Sequence, residues 1–118
     1  MAELLHLTER PLWEAARAAG TYTWSTRGRT LQQEGFIHCS LRHQLPAVAA
    51  FLYGDRDGRR DPAAGVELVV LVIDDTLLGV PVRYEPAAPG APEYPHIYGP
   101  LPVAAVRAVE PWPPVGTR

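Results

Sequence analysis

One cysteine and no lysine in 118 residues are the first facts this sequence offers, and each excludes something. Cys39 alone cannot build an internal disulfide framework or a multi-thiolate zinc site, so a bound metal would have to rest on histidines and carboxylates. All 11 basic residues are arginine, the formal net charge is −2, and no long basic run exists to track a phosphate backbone, so bulk binding to DNA or RNA is not expected. No apolar run approaches the ~20 residues of a membrane-spanning helix. Met1 to Arg10 carries Glu3, His6, Glu9 and Arg10 where a secretory signal would carry an apolar centre, so the expected location is cytoplasmic, without membrane contact. The absence of lysine beside abundant Ala, Arg and Pro fits the codon usage of a GC-rich bacterium.

What remains is ordinary globular material, 47% apolar and 20% charged. The length supports one hydrophobic core, hence a single domain over residues 1–118. Residues 3–8 alternate as a strand that puts Leu5 and Leu7 on one face and Leu4, His6 and Thr8 on the other. Thr8 is placed to cap a helix over 9–19 with Leu12, Ala15, Ala16 and Ala19 as its buried stripe and Gly20 as its stop. Residues 21–34 read as a loop ending in one helical turn, Thr30 to Glu34, closed by Gly35. A strand over 36–40 sends Ile37 and Cys39 to the core and Phe36, His38 and Ser40 to the opposite face. Ser40 is positioned as the cap of a helical stretch that becomes regular from about Leu45 to Gly54. Asp55 to Gly65 is expected to be an exposed loop, and Val66 to Ile73 a central strand buried on both faces. A strand over 80–85 puts Arg83 and Glu85 on one side, the proline-rich 86–95 reads as an irregular loop, 96–101 as a turn, and 106–109 as a last strand with an extended tail. The sum is an α+β fold.

Three histidines, His6, His38 and His96, lie in or beside these strands. If His6 and His38 face a common cleft, truncating either should cost less than about 1.5 kcal/mol, whereas a core histidine holding two buried groups would cost ~2–4 kcal/mol. Cys39 is adjacent to His38, but neighbouring strand residues point to opposite faces, which favours a packed, inert thiol over a nucleophile. Three imidazoles with an open fourth position would suit zinc, yet no HxH or HExxH spacing is present, so no metal is expected. Glu85 is either an ion-pair partner of Arg83 or a catalytic carboxylate. Tyr94 to Leu101 packs aromatics, His96, glycine and prolines into a stiff segment suited to framing a small ligand.

Leu5-His6-Leu7-Thr8 with Trp13-Glu14-Ala15-Ala16, then Glu34-Gly35-Phe36-Ile37-His38-Cys39-Ser40, the Val69 to Asp74 strand, Arg83-Tyr84-Glu85 and Pro95-His96-Ile97-Tyr98-Gly99-Pro100-Leu101 together resemble the family catalogued as Domain of Unknown Function 952. The resemblance covers nearly the whole chain. It implies an ADP-ribosyltransferase-like fold, a split β-sheet whose active members bind NAD in a cleft between two small sheets. It implies further that His6 is similar to the residue that hydrogen-bonds the NAD ribose in histidine-type transferases. The Gly35 to His38 segment is similar to a strand of RNA 2'-phosphotransferases, whose arginine-rich phosphate-binding set has no counterpart here; no Gln/Glu-x-Glu pattern is present either. The resulting expectation is a domain that binds a small molecule or nucleotide, as an NAD-using transferase or glycohydrolase. Glu85 and His38 would then be catalytic, His6, Thr8, Ser40 and His96 would hold ribose hydroxyls and neighbouring groups, and Tyr98 or Tyr22 would stack on a flat ring. A non-catalytic metabolite-binding protein and a histidine-based metal enzyme are the alternatives these residues leave open.

Overall fold

The computed structural model describes residues 2–54 and 66–114. Along them run β1 (Glu3–Glu9), α1 (Arg10–Ala19), β2 (Thr21–Tyr22), β3 (Trp24–Thr26), β4 (Arg29–Thr30), α2 (Leu31–Glu34), β5 (Ile37–His38), α3 (Leu45–Tyr53), β6 (Leu68–Asp74), β7 (Val82–Pro86), β8 (Glu93–Ile97), β9 (Leu101–Pro102) and β10 (Val106–Trp112). From Leu68 to Ile73, β6 is apolar at every position, a pattern stable only with both faces covered; it is the middle strand of an antiparallel β1-β6-β10 sheet with a hydrophobic cluster on each side. Leu4, Val69, Leu71 and Ile73 face one cluster with Trp13 and Ala16 of α1; Leu5, Leu7, Leu68, Val70 and Val72 face another with Leu45, Ala49 and Tyr53 of α3. Each such large side chain contributes about 1.5–3 kcal/mol when fully buried. The α+β class and the two-faced central strand are therefore as expected.

The second sheet, β5-β8-β7, is antiparallel, with Ile37 opposite Ile97, His38 opposite His96, Arg83 opposite His96 and Glu85 opposite Tyr94. Ile37 and Ile97 turn back into the core, and the alternation leaves the histidines and Glu85 on the other side. At Pro95 the β5–β8 ladder stops: its carbonyl accepts from the Cys39 N–H at 2.9 Å, but proline has no N–H to return. Ser40 pairs instead with Leu5 of the first sheet, the two residues exchanging both backbone hydrogen bonds at 2.8 Å. The two sheets thus fork from one joint.

Several local expectations are corrected. Thr8 does not cap α1, because β1 runs on to Glu9 and the Thr8 hydroxyl is engaged with Tyr22; no side chain caps that helix. The buried face of α1 is Trp13 and Ala16 with half-buried Leu12, while Ala15 and Ala19 are exposed. Ser40 caps nothing, since the turn at Arg42–Gln44 separates it from α3; the Gln44 side chain accepts the Leu41 N–H instead. Residues 21–34 hold three short strands, β2 pairing with β9 and β3 with β4, although the Thr30-capped turn α2 and its Gly35 stop at φ 90° are as expected. Glu93 to Ile97, expected as loop and turn, is the central strand β8. The expected loop 55–65 lies outside the described residues.

Candidate functional site

The fork encloses a cleft of about 690 Å³. Its floor is the joint, with Leu5, Leu7, Cys39 and Ser40; one wall is Phe36, His38, Glu85, Tyr94 and His96 on the second sheet, the other Ala47, Val48, Phe51 and Leu52 on α3. Helix α3 is apolar on nearly every side, so after one face packs on the first sheet another is left toward the cleft, and Phe51 remains 88% exposed.

His6 edges this cleft but does not open onto it, against the expectation of a solvent- or ligand-facing ring. It is 3% exposed, its Nδ1 lies 2.6 Å from the His38 carbonyl and its Nε2 lies 2.8 Å from the Tyr22 hydroxyl. A carbonyl can only accept, so Nδ1 carries the proton. Burial holds the imidazole neutral, lowering its pKa to about 4. Nε2 therefore accepts from the Tyr22 O–H, and the Thr8 hydroxyl, 2.7 Å from the Tyr22 oxygen, donates to it in turn. The chain Thr8, Tyr22, His6, His38 carbonyl is complete, which leaves His6 no free nitrogen for a ribose and withdraws the Tyr22 ring, 1% exposed, from any stacking role.

Glu85 faces different partners. One carboxylate oxygen, Oε1, accepts from His96 Nδ1 at 2.7 Å and from the Tyr98 hydroxyl at 2.6 Å. These bonds, Tyr98's first, hold the Glu85 pKa below the ordinary carboxylate range, and the Glu85 bond raises that of the Tyr98 phenol. Arg83, expected as an ion-pair partner, lies with its guanidinium 5.2 Å from the centre of the Tyr98 ring. His96 stacks on Phe36 at 4.1 Å between centroids, and His38 meets the edge of His96 at 5.0 Å. The His38 pKa is lowered, by partial burial first and then by the charge of His96, while its Nε2 lies 3.9 Å from Glu34.

Several polar atoms lining the cleft have no hydrogen-bond partner among the described residues: His96 Nε2, His38 Nδ1, Glu85 Oε2 and the Ser40 hydroxyl, which is 2% exposed. A buried hydroxyl without a partner costs free energy that a ligand or water would recover. The structure thus gathers Glu85, His38, His96, Ser40 and, through Glu85, Tyr98, and sets Thr8, Tyr22 and His6 behind them. Cys39 is buried as expected, and burial pushes its thiol pKa up. Tyr94 belongs to the segment expected to frame a ligand, whereas sequence reasoning did not assign Phe36 or the α3 residues to the site; the available signal was a helix too apolar to be covered by a single sheet. Among the described residues no group of three or more His, Cys, Asp or Glu is arranged to hold a metal ion, and no helix is long and apolar enough to cross a membrane.

A family model described as "Protein of unknown function (DUF952)" matches residues 7–109. No curated protein matches significantly. Among solved structures, the crystal structure of protein CC0527 from Caulobacter crescentus is 28% identical, with a TM-score of 0.70 over 93% of this chain and 85% of that one. Its solution structure, also 28% identical, gives 0.66 over 92% and 83%.

Proposed function

This chain belongs to the DUF952 family of proteins of unknown function, and from that premise we propose that it binds a ribosylated ring compound of the NAD class in the forked cleft and cleaves the bond between ring and ribose. The observation that carries this reading is the Glu85 carboxylate, fixed through one oxygen by His96 and Tyr98 while its other oxygen is left unpartnered on a largely apolar wall. A carboxylate so oriented stabilises the positive charge that develops on a ribosyl C1' as its bond to the ring nitrogen lengthens. In the reaction the C1'–N bond breaks, the electron pair leaves with the ring, and water or another acceptor bonds to C1' and gives up a proton. His38, its pKa lowered by burial, its Nε2 toward Glu34 and its Nδ1 unpartnered among the described residues, is the base suited to take it. The Ser40 hydroxyl and His96 Nε2 hold the ribose hydroxyls. Thr8, Tyr22 and His6 act from behind by fixing the strand that carries His38.

The fork of two small sheets supports an ADP-ribosyltransferase-like assignment, which the resemblance led us to expect. The test is incubation of purified protein with NAD and measurement of released nicotinamide, with Glu85→Gln as control. Release by the wild type that falls at least about a hundredfold in the variant supports the reading, in the range of losing one preorganised electrostatic group. Calorimetric binding of NAD without release would make the protein a non-catalytic metabolite-binding domain, and no binding would reject NAD altogether.

A further inference from the structure

Cleavage of a pyridinium riboside leaves one group on the cleft wall with little to do. That ring departs neutral and takes no proton, yet the wall presents an imidazole arranged to give one. Glu85 Oε1 lies 2.7 Å from His96 Nδ1, and a carboxylate can only accept, so Nδ1 donates and keeps its proton. Nε2 is therefore the one position of the ring that can gain or lose a proton while the Glu85 bond stays in place. It has no partner among the described residues, and the residue is 7% exposed. The plane of the imidazole is fixed from several sides. Phe36 stacks on it at 4.1 Å between centroids, His38 meets it edge-on at 5.0 Å, and the Tyr98 hydroxyl steadies Glu85 at 2.6 Å. Phe36, Tyr94 and Phe51 line the same cleft beside Val48 and Leu52. An uncharged flat ring enters such surroundings without the desolvation cost of an ion.

We infer that the cleft also hydrolyses uncharged purine nucleosides, with His96 as the general acid that protonates the departing ring. The roles of Glu85 and His38 in this step rest on the glycosidic reading. The C1'–N bond breaks, its electron pair goes to the purine, and the proton on His96 Nε2 passes to a ring nitrogen. The oxygen of a water bonds to C1', and the water's proton goes to His38. The products are free ribose and a neutral purine, and exchange with solvent takes the proton from His38 and returns one to His96. Pairing with Glu85 serves this order of events. While His96 is protonated the pair carries no net charge; once the proton has left, the full negative charge of Glu85 is released for the positive charge developing on C1'.

The experiment follows ring release from guanosine and from 7-methylguanosine by chromatography, with the whole protein. The methyl group already gives the second ring its positive charge, so that ring departs without a proton. Wild type should release guanine, and should favour 7-methylguanosine by less than about a hundredfold, because general acid catalysis offsets the poorer leaving group. His96→Asn, checked for native circular dichroism, should slow guanosine at least about a hundredfold more than it slows 7-methylguanosine. The wild-type comparison stands even if that variant fails to fold. No release of guanine, a larger wild-type preference for 7-methylguanosine, or a smaller difference between the two substrates in the folded variant would overturn the inference. Nicotinamide release from NAD without guanine release from guanosine would refute this activity and leave the glycosidic reading standing. Guanine release without nicotinamide release would uphold it and reject the NAD class.

Discussion

Replacing His6 by alanine probes the buried relay directly. The variant leaves the part-buried His38 carbonyl without its 2.6 Å donor and the buried Tyr22 hydroxyl without its acceptor. Each unsatisfied group costs ~1–3 kcal/mol, the Tyr22–Thr8 contact recovers part of this, and the expected loss is therefore ~2–4 kcal/mol. For a domain of ordinary stability, about 5–15 kcal/mol, that is a large shift of the urea midpoint without loss of the fold. Tyr22→Phe removes only the hydroxyl and should cost ~1–2 kcal/mol, and the double variant should fall short of additivity by about 1 kcal/mol because both substitutions break the same bond. The pH dependence comes from the same geometry. With the folded pKa near 4 and the ordinary histidine value at 6.5, the unfolded chain binds the His6 proton more readily between those values. His6 thus contributes stability that is fully present above about pH 6.5 and is lost as pH falls toward 4, by at most about 3 kcal/mol. The lowered pKa of His38 acts in the same direction and keeps part of the slope when His6 is gone. Urea melts of wild type and both variants from pH 4 to 8 check all of this. A His6→Ala loss under about 1 kcal/mol, with an unchanged pH slope, would refute the relay.

Three further outcomes are expected. Cys39→Ala should fold normally and lose roughly 1 kcal/mol, and the native thiol should resist labelling; rapid modification would contradict its burial. Gly99→Ala would set a Cβ 2.7 Å from Val80 Cγ1 and should cost ~1–3 kcal/mol in thermal melts, with Val80→Ala recovering most of it in the double variant; a Gly99→Ala protein as stable as wild type would show that the contact relaxes freely. Phe51→Ser on the uncovered face of α3 should leave thermal stability within about 0.5 kcal/mol while weakening NAD binding, and a large drop in melting temperature would mean that this ring is packed after all.

The parts of the fold written in periodic hydrophobicity were legible. The continuous apolar run of β6, the Leu5/Leu7 alternation of β1, the Gly20 and Gly54 stops and the placement of Cys39 all stand as expected. What escaped was non-local or against the grain of local propensity. Pro95 argued for a loop, yet it sits in a central strand because its missing donor falls where the ladder ends. Two-residue strands such as β2 and β9 are too short to leave a period. His6 and His38 looked equivalent, each a histidine on a strand; burial and two partners make His6 internal, and neither is visible without knowing that Tyr22 folds against it. Glu85 was recognised as a candidate carboxylate, but its grip by His96 and Tyr98 depends on the register of β7 against β8, which no local pattern specifies.

The proline at the fork acts as a zipper's end stop. The Cys39 N–H already reaches the Pro95 carbonyl at 2.9 Å, and only the return bond from position 95 is missing, so the next residue, Ser40, is free to clasp Leu5 of the other sheet. The missing hydrogen on the Pro95 nitrogen thus marks the point at which the chain leaves one sheet for the other, and the hollow opens beside that crossing.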